Sequence, residues 1–432
     1  MTTDSDSTTT TPSDTPPPAA TSPNTGLAGL QDEFRAWVVR IRGGDIGSVP
    51  AVLGMLALVV FFTVLRPDSF ANKGNFANLL AQSAPYIVIA MGLVFVLLLG
   101  EIDLAAGFTA GTCAAVLAVV VTNNGFPWWV GILAAVLTGS VIGLTMGALV
   151  AFLGIPSFIV TLAWFLGLQG ALLLIIGNGG TITLRDNKQI VAIANNNMTP
   201  VLGWLFVVIL VGGYAAVTLL RAAARRKAGL PTQSVTLIGL KIAGLAVLFG
   251  VATAVLNTER GEVSAFVSNS LKGVPIVVAI VAGLTVLMTF VLTRTAFGRH
   301  VYAVGGNTEA ARRAGISVTG IKISCFVICS SLAAFGGILL ASRLSSVSPQ
   351  TGGSSILLLS VAAAVIGGTS LFGGKGRVID AVLGGLVIAI IQNGLPFITQ
   401  EAGIQFTVTA AVLLLAAGVD AIARRRAAAT GR

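Results

Sequence analysis

The sequence predicts an all-α polytopic membrane protein of about twelve transmembrane helices, and three observations carry that reading. Hydrophobic residues make up 55% of the 432 residues and charged residues 10%, against about 25% charged in ordinary soluble domains. Apolar runs of about 20 residues recur along the chain, each long enough to cross a bilayer. The 52 glycines suit helices packed closely within a membrane. A net charge of +10 would point to nucleic acid in a soluble protein. Here the placement of the charges explains it better.

Taken in order, residues 1–26 are rich in Thr, Ser, Pro and Asp and almost free of large apolar side chains. A disordered tail is expected there. The tail lacks the basic and apolar regions of a signal peptide, so no cleavage is expected. In residues 27–46, Leu27, Leu30, Phe34, Trp37, Val38 and Ile41 recur at helical spacing, with Asp32, Arg35 and Arg40 facing elsewhere. This fits an amphipathic helix lying on the membrane surface; a helical lead-in to the first span fits equally.

The spans fall near 49–65, 84–100, 104–122, 128–153, 157–176, 200–220, 236–256, 274–293, 320–342, 354–372, 378–397 and 405–421. Threading them with the N-terminus inside leaves Arg66, Lys73, Arg185, Lys188, Arg260, Lys272 and Arg343 outside, and the other 19 of the 26 Lys and Arg inside. Cytoplasmic loops carry the positive excess. Both termini, including the basic tail 423–432, and the 294–318 loop are therefore assigned to the cytoplasm, and the nucleic-acid reading falls.

Two outside segments, 177–199 and 257–273, are longer than turns. Their Asn, Thr, Ser and mixed charges suit solvated connectors and a face for an external partner equally. In the fourth span Gly139, Gly143 and Gly147 stand four apart on one helical face, a spacing that lets helices approach closely. Packing is the expected use.

Three polar interruptions carry the functional argument. The first, Arg294 to Ile316, describes a short helix outside the membrane. Asn307 and Thr308 can cap it, Glu309 is acidic in its first turn, Arg312 and Arg313 are basic in its last, and Gly315 supplies the stop. About two turns of helix are unstable alone in water, so this one needs a surface. Ala310, Ala311 and Ala314 offer a small face that can enter another protein's cleft; a plain basic loop is the alternative.

The second, Gly100-Glu101-Ile102-Asp103-Leu104, sets two carboxylates between apolar runs. At a helix centre each would cost about 2.5–3.5 kcal/mol. Asp103 is placed to cap a helix starting at Leu104, whereas Glu101 has no local partner; alternatively both sit at the cytoplasmic water line. The third, residues 365–377, holds Gly367, Gly368, Gly373 and Gly374, a helix break of the kind around which transporters build sites.

The absences matter as well. No G-x-x-x-x-G-K-[ST] occurs, and in GGKG a glycine, Gly376, follows Lys375 where that motif needs Ser or Thr. The single histidine, His300, reads as a surface residue of the loop and leaves no clustered-histidine metal site. Cys113, Cys325 and Cys329 lie in apolar runs and read as buried thiols. No catalytic constellation, metal site or cofactor motif is found.

Glu309-Ala310-Ala311 followed by Gly315 matches an EAA-x-x-x-G core. GEIDLAAG at 100–107 is similar to a G-[GE]-I-D-L-S-V-G stretch, with Ala105 and Ala106 in place of Ser and Val, and VIGGTSLFGGKGRV at 365–378 to a third signature. On these stretches the chain, from its second span to its last, resembles the permease subunits of bacterial ATP-binding-cassette importers for monosaccharides, the ribose and xylose permeases. The resemblance implies a transport subunit without its own ATPase, forming the 49–422 permease domain of a protein in the bacterial cytoplasmic membrane. It implies a ten-helix core, with 200–256 as an inserted pair similar to that of the xylose type, which makes xylose the preferred sugar.

A separate ATP-binding subunit would dock on the 294–318 loop through Phe297, Gly298, Arg299, Asn307, Glu309, Ala310, Ala311 and Gly315. Glu101, Asp103, Gly367, Gly368, Gly373 and Gly374 would form helix breaks beside the pathway. An extracytoplasmic sugar-binding protein and a second permease copy are the other implied partners. The alternative is an ATP-independent secondary sugar carrier, which would show intramembrane charges for ion coupling or a two-half repeat, and no docking loop.

Overall fold

The computed structural model describes residues 48–177, 180–230, 232–260, 271–412, 414 and 418. The expected tail 1–26, the surface helix 27–46, the basic terminus 423–432, the end of the last span and the middle of the 257–273 segment lie outside the described residues.

The chain forms α1 (Val49–Leu65), α2 (Pro67–Phe70), α3 (Lys73–Leu98), α4 (Ala106–Ala118), α5 (Trp128–Phe152), α6 (Ser157–Ile176), β1 (Ile182–Thr183) and α7 (Lys188–Asn195). There follow α8 (Pro200–Lys227), α9 (Val235–Leu256), α10 (Ile276–Arg294), α11 (Ala296–Gly306), α12 (Thr308–Arg313), α13 (Val318–Leu344), β2 (Ser346–Val347), α14 (Gly353–Gly367), α15 (Val378–Gly394) and α16 (Ala402–Val412). Among the described residues nine helices are long and apolar enough to cross a membrane, and α1, α14 and α16 are shorter apolar helices. Each of the twelve predicted spans corresponds to one of these.

Several boundaries move, for physical reasons. α3 begins at Lys73 rather than near residue 84, because Asn75 and Gln82 lower the hydropathy yet are hydrogen-bonded to Asn393. α8 runs on through Arg221–Lys227, expected between two helices. Its last turn carries Arg225, Arg226 and Lys227, where cations offset the negative end of the helix dipole.

α3 and α13 form the centre, and 83% of the apolar stretch of α3 is buried. α13 packs on α5 through the expected glycine face. A Cβ at Gly139, Gly143 or Gly147 would lie 2.6 Å from Ser330 O, 2.4 Å from Phe326 O or 2.8 Å from Ile323 Cα. α8 and α9 pack on each other at the edge, with only 11% and 6% of their apolar stretches buried.

The connections sort to two ends. At one end lie Ser48, the 98–102 turn, Ser157, α11, α12 and the 368–377 loop, tied by the Arg377–Ser48, Ile102–Ser157 and Tyr302–Gly376 hydrogen bonds. This is the end rich in Lys and Arg. At the opposite end β1 pairs antiparallel with β2, Asn197 bridges Pro275, and Asn187 bonds Thr122.

Non-helical chain leads into two of the spans: α4 runs on through a π-helical turn at Val119–Asn123 and so covers 18 residues, whereas α14 has 15. A non-helical segment, 101–105, climbs from the basic end before α4 begins, and 348–352 descends from the opposite end before α14 begins. Their first turns meet inside the bundle, where a Cβ at Gly107 would lie 2.2 Å from Gly353 O. Non-helical backbone is tolerated at that depth because protein surrounds it.

Candidate functional site

The three polar interruptions read separately in the sequence converge at the basic end. α3 stops at Leu98, and Gly100 turns the chain with φ of 73°. Gly305, in the last turn of α11, lies against that stop: a Cβ on it would sit 1.8 Å from Leu98 O and 3.1 Å from Gly374 N. Gly374 N donates to the same Leu98 carbonyl at 2.8 Å. Gly373 fills the remaining corner, its Cβ position 3.0 Å from both Gly100 N and Gly305 O. Three backbones therefore touch with no side chain between them.

Tyr302 adds a second tie, its hydroxyl donating to Gly376 O at 2.7 Å. Burial, and then the charge of Asp380, hold that hydroxyl above the ordinary phenol range, so it remains a donor at neutral pH. Gly367 and Gly368 stand apart from the junction. Gly367 packs on the start of α15, its Cβ position 1.8 Å from Asp380 O, while Gly368 ends α14 with φ of 121°.

The loop forms two helices where the sequence reading has one. Thr295 caps α11, accepting from Gly298 N at 3.2 Å. Gly298 is buried, and a Cβ there would strike Leu292 O at 2.0 Å, so only glycine allows α11 to fold back from α10. Phe297 packs half-buried against the core, and Arg299 is exposed. Asn307 caps α12 as read, its Oδ1 accepting from Ala310 N at 2.9 Å. Glu309 pairs with Arg312 at 3.0 Å and Arg313 at 3.4 Å, exposed pairs that contribute little. Gly315 closes the helix with φ of 81°.

Ala311 departs from expectation: it is 4% exposed and seats α12 on its own chain, so the outward residues are Glu309, Ala310, Arg312, Arg313 and Ala314. Beside it a cleft of about 390 Å³ is lined by His300, Ala314, Gly315, Ile316, Ser317 and Gly320. His300 is thus half-buried in a cleft wall instead of lying on the surface.

Glu101 and Asp103 play different parts. Glu101 stays at the basic end and meets Lys322 Nζ at 2.5 Å, the two side chains 15% and 22% exposed. Asp103 is 1% exposed. Its Oδ1 accepts from Ala105 N at 2.8 Å and its Oδ2 from the Cys329 thiol at 3.4 Å. The helix starts at Ala106, not Leu104, with Ala105 as its N-cap and no side-chain cap hydrogen bond, so Asp103 holds the turn before the helix and is not its N-cap. Cys329 lies about 16 Å along α13, at about 1.5 Å per residue, so Asp103 lies well inside the bundle and the water-line alternative fails for it. Lys322→Met would strand Glu101 and is expected to destabilise the fold by about 2 kcal/mol. Thermal unfolding in detergent checks this, and the double variant with Glu101→Gln should recover most of the loss.

Sequence reasoning missed Gly305, Tyr302, Lys322 and Cys329. Lys322 alone carried a signal, a charge one turn into an apolar span. All three cysteines are buried and free, as read, and no metal-ligand cluster occurs among the described residues.

A family model described as branched-chain amino acid transport system / permease component matches residues 75–194 and 188–417. The xylose transport system permease protein XylH of Haemophilus influenzae is 33% identical over 369 residues, covering 85% of this chain and 94% of that protein. The protein of the same name in Escherichia coli is 34% identical over 381 residues, covering 87% and 92%. The ribose import permease protein RbsC of Escherichia coli is 30% identical over 394 residues, covering 91% and 97%. No solved structure matches the chain significantly. By sequence, by its bundle of apolar helices and by its coverage of these relatives, the chain belongs to the branched-chain amino acid transport system permease family and is similar within it to the xylose and ribose permeases.

Proposed function

We propose that this chain is the transmembrane permease subunit of an ATP-driven importer that moves a monosaccharide, xylose in preference to ribose, across the bacterial cytoplasmic membrane. The observation that carries the reading is the backbone junction of Gly305 with Leu98 and Gly374. Through it a displacement of α11 and α12 reaches the end of central α3 with no side chain to absorb it. The names of the relatives support a sugar as cargo, and their greater identity with the xylose proteins supports the preference.

In this reading a separate ATPase grips α12 and the adjoining cleft, with Phe297, Gly298 and Arg299 shaping the approach. The basic end and both termini face the cytoplasm, and an extracytoplasmic binding protein delivers sugar at the opposite end. A second copy of the chain completes the pore. The pair α8–α9 is an insertion on the ten-helix core, consistent with its position at the edge. Glu101 and Asp103 hold the break beside the pathway. Asp103 is the intramembrane charge that the secondary-carrier alternative asks for, but Ala105 and Cys329 enclose it, which suits a residue that holds the turn before α4 better than an ion site.

Gly315→Val tests the docking helix. Nothing lies within 4 Å of the added Cβ, so its cost is the left-handed backbone alone, about 1–2 kcal/mol, borne by the end of α12. ATP-dependent uptake is expected to fall about tenfold, that cost read as a barrier, with ATPase activity less affected, while Gly315→Asn keeps most of both. Normal coupled uptake in Gly315→Val would remove α12 from the coupling path.

A further inference from the structure

The exposure of α3 is uneven along its length. From Leu79 to Leu98 only Leu80, Gln82 and Tyr86 are not buried. Asn75, Asn78, Gln82 and Tyr86 follow one another at three- and four-residue intervals, which aligns them on one face of the helix. Beside this face stand Asn393 of α15 and Arg343 in the last turn of α13. Asn393 and Asn75 exchange amide hydrogen bonds at 2.7 and 2.9 Å, and Asn393 Nδ2 donates to Gln82 Oε1 at 3.3 Å. Arg343 Nη2 donates to Asn78 Oδ1 at 2.8 Å, and its charge reaches Tyr86.

The face runs from the opposite end to about 20 Å along the helix at Tyr86, taking about 1.5 Å per residue. Lipid is a poor neighbour for it, since the Gln82 amide and the Tyr86 hydroxyl would each need a partner to be buried at that depth, while Arg343 stands at the outer end of α13. Below Tyr86 the lane stops, because every residue from Ile87 to Leu99 is buried. The Gln82 amide nitrogen and the Tyr86 hydroxyl donate to nothing among the described residues. An amide held by its oxygen, a phenol, a ring face and a guanidinium fork are the groups that meet vicinal hydroxyls and the C–H faces between them.

We propose that Asn78, Gln82, Tyr86 and Arg343 form a polyol-binding lane, open to the external side and floored by Tyr86, that receives the monosaccharide. The direction of entry rests on the importer reading above; the lane itself does not. A polar contact with a second copy of the chain is the competing use of this face.

The test places single cysteines at Asn78, Gln82 and Tyr86, with Val88→Cys as the buried control, in the assembled complex in sealed vesicles. A membrane-impermeant maleimide is added from the external side with and without D-xylose or D-ribose. Reaction at the three lane positions but not at Val88→Cys, slowed by sugar, is expected. Gln82→Leu is expected to raise the KM for uptake about tenfold, the loss of about 1.4 kcal/mol of binding, with ATPase activity retained. Absence of labelling at Gln82→Cys and Tyr86→Cys would show a face sealed by a second copy or by lipid and would overturn the proposal. Labelling that sugar does not slow, with normal uptake by Gln82→Leu, would overturn it too. Sugar-protected labelling in a complex that takes up no sugar with ATP would keep the lane and discard the importer.

Discussion

Gly305→Ala is expected to lower coupled uptake by roughly a hundredfold, although it adds one methyl group and favours helix formation elsewhere. The new Cβ would fall 1.8 Å from Leu98 O, far inside contact distance, and both neighbours are backbone that cannot rotate away. α11 must therefore separate from both the end of α3 and Gly374, which opens the junction. Overpacking of this kind costs about 1–3 kcal/mol, and 3 kcal/mol placed on the coupling step is about a hundredfold in rate. The neighbouring Gly306 is the control, since a Cβ there meets nothing within 4 Å. Gly306→Ala should transport normally. Uptake and ATPase rates of the two variants, compared at equal folded yield, check the pair; equal uptake by both would show that the junction transmits nothing.

Asp103→Leu has the second large effect, and it falls on stability. The substitution strands Ala105 N and removes the acceptor of the Cys329 thiol, both in buried surroundings where an unsatisfied donor costs about 1–3 kcal/mol. The first turn of α4 begins inside the bundle, so water cannot take over. A loss of about 3 kcal/mol and little folded protein are expected, as measured by monodisperse yield and thermal unfolding. Asp103→Asn retains an oxygen for Ala105 N and should fold. If it folds and also transports normally, Asp103 serves only to hold the turn before α4. If it folds but loses uptake, the carboxylate charge itself takes part, which favours an ion-coupled carrier.

What the sequence disclosed follows the range of the interactions. Apolar runs are local, so each predicted span found its helix. The start of α3 was lost because Asn75 and Gln82 are hydrogen-bonded to Asn393, 318 and 311 residues away, a pairing that hydropathy cannot see. The Asn307 cap, the acidic first turn at Glu309 and the Gly315 stop lie within a few residues of one another, and all were legible. Gly305, by contrast, looks like any other glycine until the fold brings Leu98 against it. Tyr302 and Gly376 are 74 residues apart, and Cys329 and Asp103 are 226. Ala311 was misread because a six-residue helix lying on a surface must bury one side, and spacing alone does not say which. The end of α14 at Gly367, short of the expected 372, was missed because non-helical chain with apolar residues and apolar helix share one hydropathy.

The central question is whether ATP drives sugar through this chain. The direct measurement is D-xylose uptake into proteoliposomes holding the chain, its ATP-binding subunit and its binding protein, with and without ATP enclosed on the ATPase side. Uptake that requires ATP is the predicted result. Equal uptake under both conditions would contradict the account and make the chain a facilitator.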